Sequence, residues 1–513
     1  MTRALHLGRQ AGRVGDAGGG GRHRARLPRL IVALVLAWAT ALSIAPAAGA
    51  DDAALTPGPT VVADPDSPTG YTGRFVYYDP DATSVRFVAD IMLRNWEDPT
   101  DPTVYQPSQY RPGLMRGGGA YDVEMTNAGN GYWVTEVPLA AGANQYWFYV
   151  DNNTSLWVTD PANSPIYAPD GLTGTARRAF NKVNVPYDAQ KQNYAPLAAR
   201  AIENPRPDSP KGTWSYVPIQ IGTTTRTLGV YLPPGYDPDR AEPYKTIYMQ
   251  HGGGQDQSDW MNIGSVPVIM DNLIQDGSTE PAVVITTATN YLGAPAAGYP
   301  NLRDIVIPFV ESNYNVSAQP RDRAFAGLSA GSVVTANLIN YDPTAFGYYG
   351  PWSGGVRVNN ATPNLAAPYI LFGGGAWDFG LPNPALVAAL DNAVVENVVV
   401  SGAHDFNAWN QLFTTFARDY LWHPEAFLVD EFNRLEESVA GTGLNRGNRS
   451  ALAAKLDRAY EFLTTDEGGT LALLNAFVSQ VGSLESEGKL TEEEAARLVD
   501  GADKIIFNVG FWQ

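Results

Sequence analysis

The 513-residue sequence predicts a multidomain protein with a β-sandwich, then an α/β domain with a mainly parallel sheet, then a small helical bundle. Three observations predict this order. Short aromatic strands separated by turn residues fill 66–185, strands alternate with helices across 213–424, and apolar residues recur at helical spacing in 428–513. At roughly 100–200 residues per domain, the length also fits about three domains.

The first part contains β-rich aromatic segments bounded by clusters of Gly, Pro, Asp and Asn. The four clearest segments are 74–78, 84–88, 131–137 and 145–150. The segment resembles the Ig-like early-set domains related to carbohydrate-binding module family 48, through the strand Tyr146–Asp151 and the later Asp160–Asn163. Its Trp residues could stack on sugars or form an aromatic core. The composition of 51–65 and 186–213 predicts linkers.

The second part alternates between the two kinds of element, which predicts a parallel sheet covered on both faces. Its predicted strands are 227–232, 245–250, 282–286, 323–326 and 369–372, and its predicted helices lie at about 265–276, 302–313, 331–340, 384–393 and 407–421. In the tail, two apolar series have helical spacing, and Thr491 with Glu494 forms a capping box that opens a third helix. We expect a structural or docking role for this bundle.

The N-terminus has the features of an export signal. Residues 1–29 are basic, an apolar run covers 30–44, and Ala47–Ala50 is a small-residue cleavage site. The run is shorter than the roughly 20 residues that a membrane span requires. The sequence therefore predicts a secreted protein, cleaved near Ala50, with no membrane association afterwards.

Composition excludes several classes of function. Residues 1–50 hold seven Arg and one Asp, so the remaining 28 basic and 52 acidic side chains leave a net charge of −24. Such a surface repels phosphate backbones, which argues against nucleic acid as a partner. With no Cys and five His, thiolate and imidazole metal clusters are not expected, and neither is a cofactor. The sequence does not indicate the oligomeric state.

A serine nucleophile is predicted within Gly327–Gly331, which matches G-x-S-x-G. The pentapeptide follows a predicted strand and precedes a predicted helix. A nucleophile elbow has this context, because the tight turn lifts the serine hydroxyl above the sheet edge and small neighbours let it close. Ser329 is the predicted nucleophile.

A base and an acid complete the prediction. Outside residues 1–50, the only histidines are His251, His404 and His423. His251 precedes three glycines and His423 lies at a helix end, whereas His404 follows a strand in the loop that carries the base of an α/β-hydrolase. The acid should lie between Ser329 and His404. Asp378 follows a strand, whereas Asp391 lies in a helical pattern, so Asp378 is preferred.

Four ordered motifs over residues 213–424 resemble the family-1 carbohydrate esterases and the related enterochelin esterases, and thus an α/β-hydrolase fold. They are Val230–Tyr236, Gln250–Gly254 with Asp259 and Trp260, Gly327–Gly331, and Gly402–Phe406 with Trp409. The resemblance implies ester hydrolysis through an acyl-enzyme, in which the Ala330 and Gly253 N–H groups hold the oxyanion and His404 protonates the leaving sugar hydroxyl. The expected substrate contacts are His251, Gly252, Gly254, Trp260, Trp377 and Trp409.

Export and an acidic exterior favour a polysaccharide or small-molecule ester as substrate, with feruloyl or acetyl groups on plant cell-wall xylan as the expected target. Alternatives within the fold are a siderophore esterase of the enterochelin type and an acyltransferase like the mycolyltransferases. An alternative of another class is a secreted carbohydrate-binding protein without catalytic activity.

Overall fold

The computed structural model describes residues 55–173 and 177–512, so the predicted signal peptide lies outside the described residues. The N-terminal part consists of two four-stranded antiparallel sheets with orders β1-β2-β8-β7 and β10-β9-β3-β6, beside a small β4-β5 pair. The strands are β1 Gly58–Ala63, β2 Tyr71–Tyr78, β3 Val85–Ala89, β4 Leu93–Asn95, β5 Leu114–Arg116, β6 Tyr121–Glu124, β7 Thr126–Gly129, β8 Tyr132–Pro138, β9 Gly142–Val150 and β10 Asn181–Val185.

Aromatic side chains from both sheets form one core, so the predicted β-rich architecture is confirmed. The rings of Phe75 in β2 and Phe87 in β3 lie 4.3 Å apart, and Trp133 and Tyr146 belong to the same buried cluster. Strand β1 occupies a segment whose composition predicts a linker. As the edge strand of its sheet, it tolerates Pro59, which lacks a backbone donor.

The central part contains an eight-stranded sheet with order β11-β12-β14-β13-β15-β16-β17-β18, antiparallel at β11, β12 and β14 and parallel thereafter. Its strands are β11 Thr213–Ile221, β12 Thr224–Leu232, β13 Lys245–Gln250, β14 Ala282–Thr287, β15 Arg323–Leu328, β16 Tyr348–Trp352, β17 Tyr369–Gly375 and β18 Val394–Val400. The five predicted strands are confirmed. No ranges were predicted for strands β11, β16 and β18, and in β16 the turn signals Gly350 and Pro351 conceal the strand.

Helices cover both faces of this sheet, as predicted. They are α1 Ala195–Ala198, α2 Ser258–Met261, α3 Val266–Gln275, α4 Ile307–Asn313, α5 Ala330–Tyr341, α6 Pro384–Ala388 and α7 Phe406–Thr415, with π-helical turns at Leu302–Val306 and Phe416–Tyr420. Helix α6 is shorter than predicted, because a turn after Leu390 leads directly into β18. Successive strand residues point to opposite faces, so Ile247 and Tyr248 belong to different cores.

Four helices follow: α8 Pro424–Ala440, α9 Arg446–Phe462, α10 Glu467–Ser486 and α11 Glu492–Phe511. The capping box at Thr491 and Glu494 is present, but it opens the fourth helix of the tail rather than the third, because the sequence analysis missed α8. These helices share one buried cluster with a face of the sheet. None of the helices in the described ranges combines the length and apolarity needed to span a bilayer.

Candidate active site

Ser329 lies in a sharp turn between β15 and α5, with φ 52° and ψ −112°. Its two glycine neighbours are required by close backbone approaches. A Cβ on Gly331 would lie 2.6 Å from the Gln250 carbonyl oxygen, and a Cβ on Gly327 would lie 2.4 Å from the Gly331 carbonyl oxygen. The strained turn is thus an elbow that presents the Ser329 hydroxyl above the sheet edge.

The structure brings the three predicted catalytic residues into one hydrogen-bonded chain. The Ser329 hydroxyl lies 2.9 Å from His404 Nε2, and His404 Nδ1 lies 2.9 Å from Asp378 Oδ1. Asp378 follows β17 and His404 follows β18, so both loops leave the carboxyl edge of the parallel sheet, where the elbow also lies. The Asp378 side chain is fully buried and its Oδ1 also accepts the Gly380 N–H at 2.6 Å. This arrangement can move a proton from serine to imidazole.

Two aromatic rings hold the imidazole of His404. The ring of Phe379 stacks on it with centroids 4.0 Å apart, and Trp409 contacts it edge-on at 5.2 Å. Trp409 is only 5% exposed and its Nε1 donates to Ser353 Oγ at 2.8 Å. The expectation that Trp409 contacts substrate is therefore corrected, because the ring is buried behind the histidine.

The glycine loop after β13 lies beside the nucleophile. A Cβ on Gly252 would lie 3.4 Å from Ser329 Cβ. The Gly252 N–H donates to Gln255 Oε1 at 2.8 Å, so it is occupied. Among the described residues, neither the Gly253 N–H nor the Ala330 N–H has an acceptor, and both residues are exposed. These two donors are therefore available to a negatively charged oxygen at the Ser329 hydroxyl.

His251 and Trp260 shape this loop from inside the protein. His251 is buried, with Nδ1 donating to the Gly252 carbonyl oxygen at 2.7 Å and Nε2 accepting the Thr289 N–H at 3.3 Å. Burial lowers the pKa of His251, which keeps the ring neutral. Trp260 is 0% exposed and donates to the Gln250 carbonyl oxygen at 3.0 Å. Both side chains are buried beneath the loop, so this geometry gives no support to the expectation that they contact substrate.

Trp377 is half-buried and packs against the β-rich part of the chain. Its ring contacts Trp96 edge-on at 6.2 Å, and the Arg94 guanidinium lies 5.9 Å from the ring centre. A Cβ on Gly117 would lie 2.4 Å from the same ring. Trp377 thus connects the acid loop to the segment between β3 and β6, and its contact with substrate stays a prediction.

A buried ionic network that sequence reasoning missed anchors the glycine loop. Arg177 donates to Asp256 and, at 2.8 Å, to Ser258 Oγ, and its Nη2 lies 3.4 Å from Asp259 Oδ2. The Arg178 N–H also donates to the Gly254 carbonyl oxygen at 3.1 Å, so Gly254 has a structural contact here. Burial raises the pKa of Asp259 to about 7, although Arg177 opposes this rise. The partners are about 80 residues apart, so no local pattern marks them.

A second buried polar cluster supports the loop of His404. Asp405 caps α7 by accepting the Ala408 N–H at 3.2 Å, and Asn407 Nδ2 donates to the Asp90 carbonyl oxygen at 3.0 Å. Burial raises the pKa of Asp90 to about 8, and the charge of Asp405 adds to this rise. The β-rich part therefore contacts the base loop as well as the acid loop.

Residues 221–364 match the family model described as a putative esterase. The endo-1,4-beta-xylanase/feruloyl esterase of Xylanibacter ruminicola is 32% identical over 209 residues, 38% of this chain and 29% of that protein. Endo-1,4-beta-xylanase Y of Acetivibrio thermocellus is 33% identical over 158 residues, 28% of this chain and 14% of that protein. The chain thus spans less than a third of the length of either relative.

Solved structures are also similar. A mutant of the feruloyl esterase module from Clostridium thermocellum, complexed with sinapinate, is 22% identical over 42% of this chain and 88% of that chain, with a TM-score of 0.36. The enterobactin esterase of Shigella flexneri is 14% identical over 72% of this chain and 97% of that chain, with a TM-score of 0.42. By the sequence match, residues 221–364 in the central α/β region of this chain are similar to the putative-esterase family.

Proposed function

We propose that this protein is a serine esterase that hydrolyses feruloyl or acetyl esters on plant cell-wall polysaccharide such as xylan. The observation that carries the proposal is the hydrogen-bonded chain from Ser329 through His404 to Asp378 at a strained elbow. The family match of residues 221–364, a range that contains Ser329, supports ester hydrolysis as the reaction.

The geometry leads to a two-step reaction. Ser329 Oγ attacks the ester carbonyl carbon while His404 Nε2 takes the hydroxyl proton, and the N–H groups of Gly253 and Ala330 stabilise the oxyanion. Collapse breaks the bond to the alcohol oxygen, which receives the proton from His404. A water, activated by the same imidazole, then releases the acid and restores the serine. Asp378 keeps the imidazole in the required tautomer and stabilises its charged form.

The substrate part of the proposal is supported by two observations. Two relatives that match part of this chain are named as xylanases, one of them also as a feruloyl esterase. The chain outside residues 1–50 has a net charge of −24, which suits an uncharged polymer better than an anionic one.

Replacing the proposed nucleophile tests the reaction. Ser329→Ala should lower the turnover of p-nitrophenyl acetate and methyl ferulate by at least about 10³-fold, because no hydroxyl remains to form the acyl-enzyme. Ser332→Ala, three residues further along, is the matched control and should keep its activity. Comparable turnover by wild type and Ser329→Ala would reject the mechanism. If wild type and Ser329→Ala were both inactive on the two esters, the carbohydrate-binding alternative would be favoured. A polysaccharide pull-down would then test it.

We also propose that the protein is exported. The support is the order of basic, apolar and small residues in 1–50. Intact-mass measurement of protein from the culture medium of an expressing cell should give a chain that begins near Asp51. Recovery of only the uncleaved chain from inside the cell would contradict export.

A further inference from the structure

Phe379 has an unusual position for a large apolar side chain. It is 87% exposed, more than any other large hydrophobic residue in the described ranges, although it directly follows the proposed catalytic acid. One face of its ring is stacked on the imidazole of His404, with centroids 4.0 Å apart and an interplanar angle of 29°. The other face is open to solvent, within reach of anything that approaches the imidazole.

The backbone around Phe379 is fixed, so the exposure follows from the fold rather than from a loose loop. Asp378 Oδ1 accepts the Gly380 N–H at 2.6 Å and also contacts the imidazole. A Cβ on Gly380 would lie 2.2 Å from the Ser353 carbonyl oxygen, so the turn packs tightly against its neighbour. An apolar ring held in water costs free energy that is recovered when a ligand covers it.

The chemistry of the reaction identifies which half of the substrate comes near this ring. The acyl oxygen faces the N–H groups of Gly253 and Ala330, whereas the alcohol oxygen must approach His404 Nε2 to receive its proton. A side chain that lies on the imidazole therefore meets the alcohol half rather than the acyl half.

We propose that Phe379 is a specificity residue that binds the leaving alcohol and that this alcohol is a sugar ring. A pyranose or furanose can place its C–H face on the phenyl ring and keep its hydroxyl groups in water at the edges. The open surroundings of Phe379 suit such a ring better than a fully apolar alcohol. This inference rests on the proposed esterase function and adds the residue that would select the alcohol.

The test compares two esters with the same acyl group and different alcohols. The probes are methyl ferulate and the feruloyl ester of methyl arabinofuranoside; methyl acetate and acetylated methyl xylopyranoside serve if the acetyl group is preferred. In Phe379→Ala, the ratio of kcat/KM for the sugar ester to kcat/KM for the methyl ester should fall about threefold to tenfold, since one ring-stacking contact is lost. Because the hydrolysis of both esters depends on His404, any effect of the substitution on His404 cancels in this ratio.

Two controls accompany this variant. Phe379→Tyr keeps the ring and should keep the ratio. Tyr341→Ala removes a half-exposed aromatic ring at the far end of α5, about 18 Å of helix away from the elbow, and should also keep it. An unchanged ratio in Phe379→Ala, with active wild type, rejects this inference and leaves the esterase function intact. A wild type inert on all four esters rejects both.

Discussion

Ser329 combines backbone strain with catalytic geometry. A non-glycine residue in this region of φ and ψ costs on the order of 1–3 kcal/mol, which the surrounding structure must supply. Here the Ser329 N–H donates to the Trp352 carbonyl oxygen at 2.9 Å, and the glycines on either side allow close packing. This site could be predicted from sequence because the motif lies between a predicted strand and a predicted helix. It also helped that only three histidines lie outside residues 1–50.

Asp378 is the residue whose proposed role is tested best by a conservative change. Asp378→Asn should lower kcat by about 10³- to 10⁴-fold, because an amide N–H facing Nδ1 favours the tautomer whose Nε2 cannot accept the serine proton. The measurement is turnover of p-nitrophenyl acetate at neutral pH.

The control for this variant is its fold. The amide keeps the size and shape of the carboxylate but replaces the oxygen that also accepts the Gly380 N–H, so the thermal unfolding midpoint is measured to show that the variant is folded. A correctly folded variant that retains more than a tenth of wild-type kcat would show that the imidazole does not depend on Asp378.

The two loops that carry the proposed chemistry are each held by elements remote in sequence. Arg177, just before β10, anchors the loop after β13 through Asp256. Arg200, in the short helical segment after α1, donates to the Asn407 carbonyl oxygen at 2.6 Å at the start of α7. The segment 186–213 therefore contributes buried contacts, although its composition predicts a linker.

The buried carboxyl group of Asp90 makes the stability of the protein dependent on pH. Its pKa is about 8 in the folded protein and 3.8 for the free side chain, so the folded state binds the proton more tightly. Its contribution to stability is therefore complete below pH 4 and is lost as the pH rises through 8. Asparagine does not titrate, so the unfolding midpoint of Asp90→Asn should rise relative to that of the wild type as the pH increases. From pH 4 to pH 9 this relative rise should be at least about 2 °C.

Thermal unfolding followed at several pH values checks this expectation. The groups that face Asp90 are Asp405, whose charge raises its pKa, and Arg116, which lowers it. The asparagine oxygen can still accept from Gln145 Nε2, as the carboxylate does. Asp122→Asn, on the half-exposed strand β6, controls for the loss of one acidic group. If the unfolding midpoints of wild type and Asp90→Asn differed by the same amount at every pH, the proposed link between Asp90 protonation and stability would be refuted.

The central sheet and the helices of the tail share one core, whereas the β-rich part has a core of its own. The helices of the tail and one face of the central sheet bury their apolar side chains in a single cluster. Polar contacts reinforce it, since the Tyr369 hydroxyl in β17 donates to Asn508 Oδ1 in α11 at 2.6 Å. Stability of the tail and of the sheet should therefore be coupled.

Phe477 in α10 tests this coupling. Phe477→Ala should lower the free energy of unfolding by about 3–5 kcal/mol, because it leaves a cavity in the shared core. Denaturant unfolding followed both by tryptophan fluorescence and by loss of esterase activity should shift equally for the two signals. Phe507→Ala, at a position that is 39% exposed, is the matched control with a small effect. An unchanged midpoint for activity would mean that the tail unfolds independently.

The sequence by itself determined the order of the three parts, most of their strands and helices, and the three residues that now lie in one hydrogen-bonded chain. These features follow from local patterns: strand and helix periodicity, turn chemistry, and the rule that parallel strands end at a common sheet edge. With only three histidines beyond the N-terminal segment, chain order set His251 aside, and the position of His404 in a loop after a strand favoured it over His423 at a helix end.

Only the tertiary structure decided which aromatic residues near the motifs are buried and which are free. Trp260 and Trp409 are buried, Trp377 is half-buried against the β-rich part, and Phe379 stacks on the imidazole with its other face in solvent. Whether a ring is covered depends on chain segments that arrive from far away, some of them nearly 300 residues distant. No local spacing carries that information, because packing is a property of the folded surface rather than of the neighbouring sequence.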